Sequence, residues 1–290
     1  MKLAVIANPG KYSVREPFVE ALEWADRNEV TVYFSRELRE LYDGGGHASA
    51  VACNDEEEAI DRADAVVAMG GDGTMLYTAR LMKNIPKPIL GVNSGRLGFM
   101  ANTQRENLSN ALKQLTAGNY RLDKRYMLEA EDGEGRIWHA LNEFLFSKKD
   151  STSMVSVQAE YDDMFINTYW ADGLIVASPT GSTAYNLSSG GPIVMPGTDV
   201  MVLTPINPHT LTTRPLVLPS DRALRITVEE QEHEVLFSYD GEIYELPDYP
   251  FEVEIRRSEF TINLVELPDQ SYFETLRSKL MWGMDFRKGR

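Results

Sequence analysis

A single carboxylate inside a glycine-rich turn is the feature of the sequence with the most chemical meaning. Asp72 lies in the segment VVAMGGDGTMLYTAR (residues 66–80), where an apolar run ends and a helix is expected to open near Thr74. A strand, a glycine turn and a helix start suit phosphate, because glycine admits a ligand close to the backbone and the helix start offers free N–H groups. A carboxylate there repels phosphate. Asp72 is therefore either a turn residue that bonds its own backbone, or a group that handles a hydroxyl or a metal ion beside the phosphates.

Two common nucleotide motifs are absent from the sequence. No G-x-x-x-x-G-K-[ST] segment occurs, which excludes a Walker-type site, and no G-x-G-x-x-G follows the first predicted strand, which excludes dinucleotide binding in the Rossmann manner. A second glycine-rich segment, GVNSGRLGFM (residues 91–100), contains Phe99. Its ring either stacks on a base or lies in the core at a domain crossover, and the segment alone favours the core.

A polar pair interrupts an apolar run in LNEFLF (residues 141–146). Asn142 and Glu143 are adjacent, and adjacent residues of a strand point to opposite faces, so both reach one wet face only if a bulge intervenes. Because buried glutamates are uncommon, the pair indicates hydrogen bonding to a ligand. The alternative is an edge strand with one of the two residues in solvent.

The densest set of polar groups lies in WADGLIVASPTGSTAYNLSSGGPIVMP (residues 170–196). An apolar strand is bracketed there by Asp172 and by a loop with hydroxyls, glycines and Tyr185. Backbone donors, short hydroxyls and an aromatic ring suit a nucleotide base and sugar, so we expect ligand binding in preference to a structural loop.

Two further segments are less specific. The Asp240–Gly241 pair in FSYDGE (residues 237–242) is typical of a hairpin turn. His209 has no second histidine or cysteine at metal-ligand spacing, so we expect no zinc site and assign no metal-ligating residue.

The composition bounds the class of protein. The 290 residues carry a net charge of −15, which argues against nucleic acid and anionic membranes as partners, because both need a basic face. Cys53 is the only cysteine, so no intramolecular disulfide forms. No apolar run reaches the roughly 18 residues of a membrane-spanning helix, and no secretion signal is recognisable. We expect a soluble, cytoplasmic protein.

Alternating strand and helix patterns must position the Asp72 turn. Four apolar runs predict strands, at residues 2–8, 29–35, 63–69 and 87–93. Helical spacing predicts a helix over residues 13–27, and the clustered glycines of residues 42–51 predict a flexible loop. This alternation indicates a parallel sheet covered by helices.

The pattern changes after a further predicted helix. That helix is expected to begin at Thr103, because Thr103 and Glu106 have capping-box spacing and Gly118 sits where a C-terminal cap would. Beyond Gly118 the apolar runs are short, β-rich and separated by turn residues, which predicts an antiparallel, sandwich-like domain. The segment SYFETLRSKLMWG (residues 271–283) returns to helical spacing.

We therefore expect two domains. An α/β domain with a parallel sheet comprises residues 1–101 and 266–290, and a β-rich, sandwich-like domain comprises residues 102–265.

The ordered set GGDGT, NSGRLGF, NE, DGLIVASPTGSTAY, GGP, PHTL…RPLV and YDG resembles the NAD kinase family, bacterial type. The resemblance runs from the first strand to NLVELPDQSYFETLRSKLMW; PTGSTAY is its specific part, since GGDGT also occurs in diacylglycerol and sphingosine kinase relatives. It implies transfer of the ATP γ-phosphoryl group to the 2′-hydroxyl of the adenosine ribose of NAD, giving NADP. It also implies a divalent ion, usually Mg²⁺, a homodimer or homotetramer, and a C-terminal helix that packs back on the N-terminal domain.

The resemblance also implies roles for single residues. Asp72 resembles the family aspartate near the 2′-hydroxyl, and Gly71 and Gly73 shape the approach of the phosphate. The other nucleotide-binding positions are Thr74, Phe99, Asn142, Glu143, Asp172, Thr180, Thr183, Ala184, Tyr185 and Asp240.

Most of these positions have an expected partner on the dinucleotide. Phe99 and Tyr185 contact the adenosine end, and Asn142 and Glu143 bond the adenine edge and the ribose hydroxyls. Thr180 and Thr183 add short polar contacts to the same base. Asp172 approaches the nicotinamide riboside half, and Asp240 matches an acidic position near the substrate.

The sequence departs from the family at one position. Many members have Arg or Lys where Trp170 precedes Ala171 and Asp172. If the Arg or Lys of those members holds a phosphate, another basic residue must do so in this chain. Arg214 and Lys148 are the candidates.

Two alternative functions share part of this pattern. A lipid or sphingoid kinase shares the GGDGT turn, but the acidic charge and the lack of a basic amphipathic stretch argue against it. A non-catalytic NAD or NADP sensor would bind dinucleotide without forming NADP, and an intact Asp72 argues against it.

Overall fold

The computed structural model describes residues 1–41, 46–82, 85–95, 98–149, 153–229, 235–246 and 249–281. The chain forms two compact units. The first comprises Met1–Lys124 together with Ile262–Arg290, and the second comprises Arg125–Thr261.

The first unit is built on a parallel sheet. Its N-terminal part contains β1 (Lys2–Ala7), α1 (Arg15–Asn28), β2 (Thr31–Ser35), β3 (Ala50–Cys53), α2 (Glu56–Arg62), β4 (Ala65–Gly70), α3 (Asp72–Met82), β5 (Pro88–Asn93), β6 (Thr103–Gln104) and α4 (Leu108–Ala117). The strand order is β5-β4-β1-β2-β3, and all these pairs are parallel. The strand order changes direction between β1 and β4. The carboxyl end of a sheet at such a switch point is where α/β proteins bind ligands, and the Asp72 turn follows β4 at that edge.

Apolar side chains of the helices and strands fill the core of this unit. Helix α1 buries Phe18 and Leu22, and Phe18 packs edge-to-face on Phe34 of β2 with ring centroids 5.2 Å apart. Strand β4 is buried along its whole length, as expected for a central parallel strand covered on both faces. The predicted parallel α/β sheet is confirmed.

The chain then forms the second unit and returns to the first. The further elements are β7 (Arg121–Asp132), β8 (Ile137–Ala140), β9 (Glu143–Lys148), β10 (Val155–Tyr161), β11 (Met164–Ala171), β12 (Gly173–Ala177), α5 (Tyr185–Ser188), β13 (Val200–Ile206), β14 (Leu216–Pro219), β15 (Leu224–Val228), β16 (Val235–Tyr239), β17 (Glu242–Glu245), β18 (Phe251–Glu266) and α6 (Tyr272–Leu280).

Two sheets form the second unit. One has the order β11-β10-β15-β18, with β7 beside β18 and β8 beside β7, and the other has the order β14-β13-β12-β9-β16-β17. Side chains from both sheets share one core, in which Phe237 contacts Phe144 and Phe146. The pairs within the second sheet are antiparallel, so the predicted sandwich is confirmed.

The C-terminal residues complete the first unit. Asn263 and Leu264 of β18 pair in parallel with Pro88 and Ile89 of β5. Helix α6 belongs to this unit, and the ring of its Tyr272 lies 6.4 Å from that of Phe99. The expected return of the C-terminal helix to the N-terminal domain is confirmed.

The helix predicted from Thr103 begins later. Thr103 and Gln104 instead form β6, beside Val92 and Asn93 of β5, and α4 starts at Leu108. Thr103 is buried, and its hydroxyl accepts a hydrogen bond from Gln270 at 3.1 Å, so it serves the sheet edge and not a helix cap. The predicted C-terminal cap is correct, since Gly118 has a left-handed φ of 71°.

Three other boundaries differ from the sequence prediction. Helix α3 begins at Asp72 instead of near Thr74, because Thr74 N–H already donates to Gly71 O at 2.9 Å. Within the loop predicted at 42–51, residues 42–45 lie outside the described residues and the last two begin β3. The division at residue 124 also places α4 in the first unit, although a boundary after residue 101 was expected, because α4 packs into the core of that unit.

No helix among the residues described here is long and apolar enough to cross a membrane.

The packing of α4 gives a stability prediction. Leu112 lies in the core of the first unit, so Leu112→Ala should lower the free energy of unfolding by about 2–5 kcal/mol, through lost burial and the cavity left behind. Urea unfolding measures the change. Lys113→Ala, on the exposed side of the same helix, is the control and should change it by less than about 0.5 kcal/mol. Equal effects would place α4 outside this core.

Candidate active site

The Asp72 carboxylate holds a turn of the first unit. Phe99 N–H donates to Oδ2 at 2.9 Å, and Met100 and Ala101 N–H groups donate to Oδ1 at 3.0 and 3.2 Å. A Cβ atom at Gly98 would overlap this carboxylate, so glycine is required there. The carboxylate also lies in the first turn of α3, where the helix dipole favours negative charge. Asp72 is thus a turn-stabilising residue whose bonds go to a different turn, not to its own backbone.

The other predicted residues of the first unit lie beside Asp72. Gly71 and Gly73 flank it, and no atom lies within 4 Å of where a Cβ would stand at either. Thr74 is buried. The open space over both glycines leaves their backbone accessible to a ligand, as the phosphate-turn interpretation requires.

A cation from the C-terminal helix completes this cluster. Lys279 Nζ lies 3.5 Å from Asp72 Oδ2 and 4.6 Å from the centroid of the Phe99 ring. The Phe99 side chain is therefore bounded by α6, with Tyr272 on the same helix.

A second carboxylate holds a turn of the second unit in the same manner. Asp240 accepts the N–H groups of three consecutive residues: Leu141 at 2.6 Å to Oδ2, and Asn142 and Glu143 at 2.8 and 3.2 Å to Oδ1. Asp240 occupies a hairpin turn between β16 and β17 with a left-handed φ of 48°, so the hairpin interpretation is correct. These bonds lie where the chain passes from β8, which ends at Ala140, to β9 of the other sheet, which begins at Glu143.

The Glu143 carboxyl is buried beside Asp240. Burial, and secondarily the negative charge of Asp240, raise the pKa of Glu143 to about 8. Its Oε2 atom is buried and has no hydrogen-bond partner among the residues described. A buried carboxyl oxygen without a partner is an unsatisfied polar atom, which a ligand can satisfy. In the protonated form it has one O–H group to donate.

The loop after β12 lies against the same turn. Ser178 N–H donates to Asn142 O at 2.8 Å, and a Cβ at Gly181 would overlap the Asn142 backbone. Thr180 is buried next to this contact, and its hydroxyl accepts from the Arg125 guanidinium at 3.4 Å. The structure therefore brings the predicted loop and the predicted polar pair together.

The remaining residues of this loop present an exposed ring. Thr183 donates its hydroxyl to Thr180 O at 3.3 Å, and Ala184 precedes α5. Tyr185 opens α5 and is 45% exposed, so its ring is available to a ligand.

Asp172 lies at the other end of the same strands. Glu143 pairs with Ala177, whereas Asp172 adjoins Lys148, five residues further along β9 or about 16 Å away. The Asp172 carboxylate binds Lys148 at 2.6 Å and Asn207 at 3.0 Å, and these two partners lower its pKa, Lys148 more than Asn207. The structure does not bring Asp172 next to Glu143.

Both candidates for the missing cation at Trp170 are engaged elsewhere. Lys148 binds Asp172, and Arg214 donates to the backbone oxygens of Leu211 and Thr213 at 2.6 and 2.8 Å. Trp170 itself is exposed on β11.

Three residues of these clusters were not predicted. Lys279 lies in the tail segment predicted as a helix, and Arg125 begins RYMLEAED, one of the short β-rich runs beyond Gly118. The buried Ser178 bonds Leu141 O and Gly181 N–H, which ties the loop to the turn. Two of them had a usable signal: Ser178 lies in the hydroxyl-rich segment 170–196, and Lys279 is a basic residue in a tail segment already noted for its family resemblance.

No group of three or more His, Cys, Asp or Glu within the described part of the chain is arranged to hold a metal ion.

The raised pKa of Glu143 gives a pH prediction. Between about 4.5 and about 8 the folded protein keeps a proton on Glu143 that the unfolded chain has lost, so this group makes stability fall as pH rises through that window. Glu143→Gln cannot titrate. The free energy of unfolding of the variant should therefore rise relative to that of the wild type by roughly 1 kcal/mol for each unit of pH.

Urea unfolding at several pH values between 4.5 and 8 measures this difference. Glu259→Gln, an exposed position of the second unit, is the control and should follow the wild type. Parallel curves for wild type and Glu143→Gln would show that Glu143 is ionised in the folded protein.

Comparison with known proteins covers both units. Residues 3–120 match the model of the ATP-NAD kinase N-terminal domain, and residues 141–267 match that of the ATP-NAD kinase C-terminal domain. The NAD kinase of Heliobacterium modesticaldum is 38% identical over 290 residues, covering 97% of this chain and 99% of that protein. The NAD kinase of Flavobacterium psychrophilum is 34% identical over 294 residues, covering 99% of this chain and 100% of that protein.

Solved structures agree. Yeast NADH kinase complexed with NADH aligns with a TM-score of 0.91 at 25% identity, over 100% of this chain and 90% of that one. An NAD kinase from Archaeoglobus fulgidus in complex with ATP aligns with a TM-score of 0.74 at 26% identity, over 97% and 99%. With near full-length relatives above 30% identity and the expected geometry of the glycine turn, the chain belongs to the NAD kinase family.

Proposed function

We propose that this NAD kinase, which uses ATP to phosphorylate NAD to NADP, places Asp72 against the 2′-hydroxyl of the adenosine ribose. The observation that carries this assignment is a carboxylate held by three backbone N–H groups inside a phosphate-type turn. In the reaction the 2′-oxygen attacks the γ-phosphorus and the bond to the ADP oxygen breaks. Asp72 orients the hydroxyl or takes its proton, which then passes to solvent.

The three amide bonds give Asp72 a fixed direction. Phosphoryl transfer depends on alignment and charge more than on covalent chemistry, so a fixed carboxylate contributes by holding the attacking oxygen in line. Gly71 and Gly73 leave the backbone of the turn open for phosphate, and the N-terminus of α3 favours negative charge.

The second unit supplies the groups for the dinucleotide. We assign the adenine edge and ribose hydroxyls to Asn142 and Glu143, with Thr180, Thr183 and Ala184 beside them and the exposed Tyr185 ring as a stacking surface. Protonated Glu143 donates one hydrogen bond, and the unpartnered Oε2 atom is the support for this. Phe99 contacts the adenosine end. Asp172 belongs to the nicotinamide riboside half, and its distance from Glu143 fits a long ligand.

For Asp240 the structure supports a positioning role, and its expected place near the substrate stays a prediction. Its carboxylate is bound to the N–H groups of residues 141–143, so we assign it to positioning Asn142 and Glu143.

A divalent ion, Mg²⁺, is proposed to arrive with ATP. Mg²⁺ is commonly held by substrate phosphates and one or two carboxylates, so a chain whose described residues offer no three-carboxylate cage fits this mode. Oxygens of the triphosphate and water would hold the ion beside the turn. The ion supplies neutralisation of the triphosphate charge.

We also propose a homodimer or homotetramer. Strand β11 is the end strand of its sheet and exposes Met164, Phe165 and Trp170, and exposed apolar side chains on a sheet edge favour association. The single Cys53 fits the predicted cytoplasmic location, which stays a prediction.

The family assignment decides between the alternative functions. Near full-length relatives are NAD kinases, which argues against a lipid or sphingoid kinase and against a non-catalytic sensor.

The assignment of Asp72 is tested by Asp72→Asn. The variant keeps an oxygen for the Met100 and Ala101 N–H groups but loses the bond to Phe99 N–H and the charge that accepts the proton, so kcat should fall by on the order of 10²–10⁴ while NAD binding is retained. Steady-state kinetics and calorimetric titration with NAD measure the two quantities. Asp61→Asn, an exposed carboxylate on α2, is the control and should behave as wild type. Near wild-type turnover of Asp72→Asn would refute the assignment.

Substrates and metal are tested together in an activity matrix. Purified protein is assayed with ATP or polyphosphate, with NAD or NADH, and with Mg²⁺ or excess chelator. We expect the highest rate with ATP, NAD and Mg²⁺, and loss of activity in chelator that Mg²⁺ restores. Unchanged activity in chelator would contradict the proposed role of the ion.

A further inference from the structure

The Asp72 carboxylate has four partners in the structure, and 30% of its side chain is exposed. A carboxylate has about four lone-pair positions. Met100 and Ala101 N–H groups bond Oδ1, Phe99 N–H bonds Oδ2, and Lys279 Nζ approaches Oδ2 from α6. An incoming hydroxyl that bonds Oδ2 therefore competes with these partners for the carboxylate.

Lys279 is the partner that can leave. Its nitrogen is 3.5 Å from Oδ2, whereas the three amide nitrogens are 2.9–3.2 Å from the carboxylate oxygens. The amides are backbone groups of a turn packed on the sheet. The lysine is a point charge on a flexible four-carbon stem, with 27% of its side chain exposed.

Helix α6 keeps this charge at the turn. Thr275 and Leu276 are buried on its inner side, and Tyr272 lies against Phe99 one turn of helix earlier than Leu276. The Lys279 ammonium also lies over the Phe99 ring, which attracts a cation through its π-face. The cation therefore remains within the same cluster after it leaves Asp72.

We propose that Lys279 is the cation of the Asp72 turn: it holds Oδ2 in the free protein and moves to a phosphate of the donor when the ribose hydroxyl takes its place. This rests on the proposed role of Asp72. The exchange keeps a positive charge beside a carboxylate and a triphosphate that would otherwise repel each other. It also supplies a cation at the turn, while Lys148 and Arg214 are bound elsewhere.

The proposal is tested with three variants of α6. Lys279→Met removes the charge and keeps the apolar stem over Phe99. Because a charge-assisted bond to phosphate is lost, kcat/KM for ATP should fall about 10–100-fold, mostly through KM for ATP. KM for NAD should change less than about threefold, since the contact goes to the donor. Lys279→Arg restores the charge and should recover most of the lost kcat/KM.

Arg277→Met is the matched control, because it removes the same charge from an exposed position of the same helix. It should behave as wild type. Thermal unfolding of all variants separates a loss of folding from a loss of donor binding, and calorimetric titration with Mg²⁺-ATP gives donor affinity without turnover.

The outcomes are distinct. Unchanged kinetics in Lys279→Met would overturn the inference and leave the role of Asp72 intact. Equal losses for ATP and NAD without rescue by arginine would show a structural role and would also overturn it. Failure of the proposed function appears instead as full activity in Asp72→Asn, whatever Lys279 does.

Discussion

An aspartate that accepts the N–H groups of three consecutive residues holds the site in each unit. Asp72 binds residues 99–101, and Asp240 binds residues 141–143. In both cases the carboxylate is far from its partners in sequence: residues 99–101 lie outside helix and strand, and residues 141–143 lead from the end of β8 into the first residue of β9. Charge-assisted bonds of this kind are stronger than neutral ones, so they can hold irregular backbone rigid where a ligand must be met.

The two aspartates leave different chemistry behind. One partner of Asp72 Oδ2 is the flexible Lys279 side chain, so a ligand can bond the carboxylate when this single partner moves away. Asp240 directs its charge at the backbone next to Glu143, and with burial this raises the pKa of Glu143 to about 8. One unit thus presents an accessible anion and the other a buried neutral acid. This difference suits the roles that we propose. The anion of Asp72 serves activation of the hydroxyl, and the neutral acid of Glu143 serves recognition of the sugar and base.

Much of the fold was predictable because its signals are local. The apolar runs of the parallel strands and the alternating patterns of the sandwich appear in short windows of sequence. Thr103 was misassigned because its capping-box spacing is also local, whereas its pairing with β5 and its bond to Gln270 are not. The same limit applies to the site. Asp72 and Glu143 stood out as unusual residues, but the partners of Asp72 are 27–29 residues away, and Lys279 is contributed by a helix at the other end of the chain.

The first unit is discontinuous in sequence, so its two parts are synthesised at different times. Residues 262–281, which carry the pairing of β18 with β5 and the whole of α6, are synthesised only after all of residues 125–261. While the ribosome is still making the second unit, Pro88 and Ile89 of β5 lack their β18 partners, and the GGDG turn lacks Lys279. The turn therefore acquires its cation at a late stage of translation, after the second-unit residues that we assign to the dinucleotide have been made.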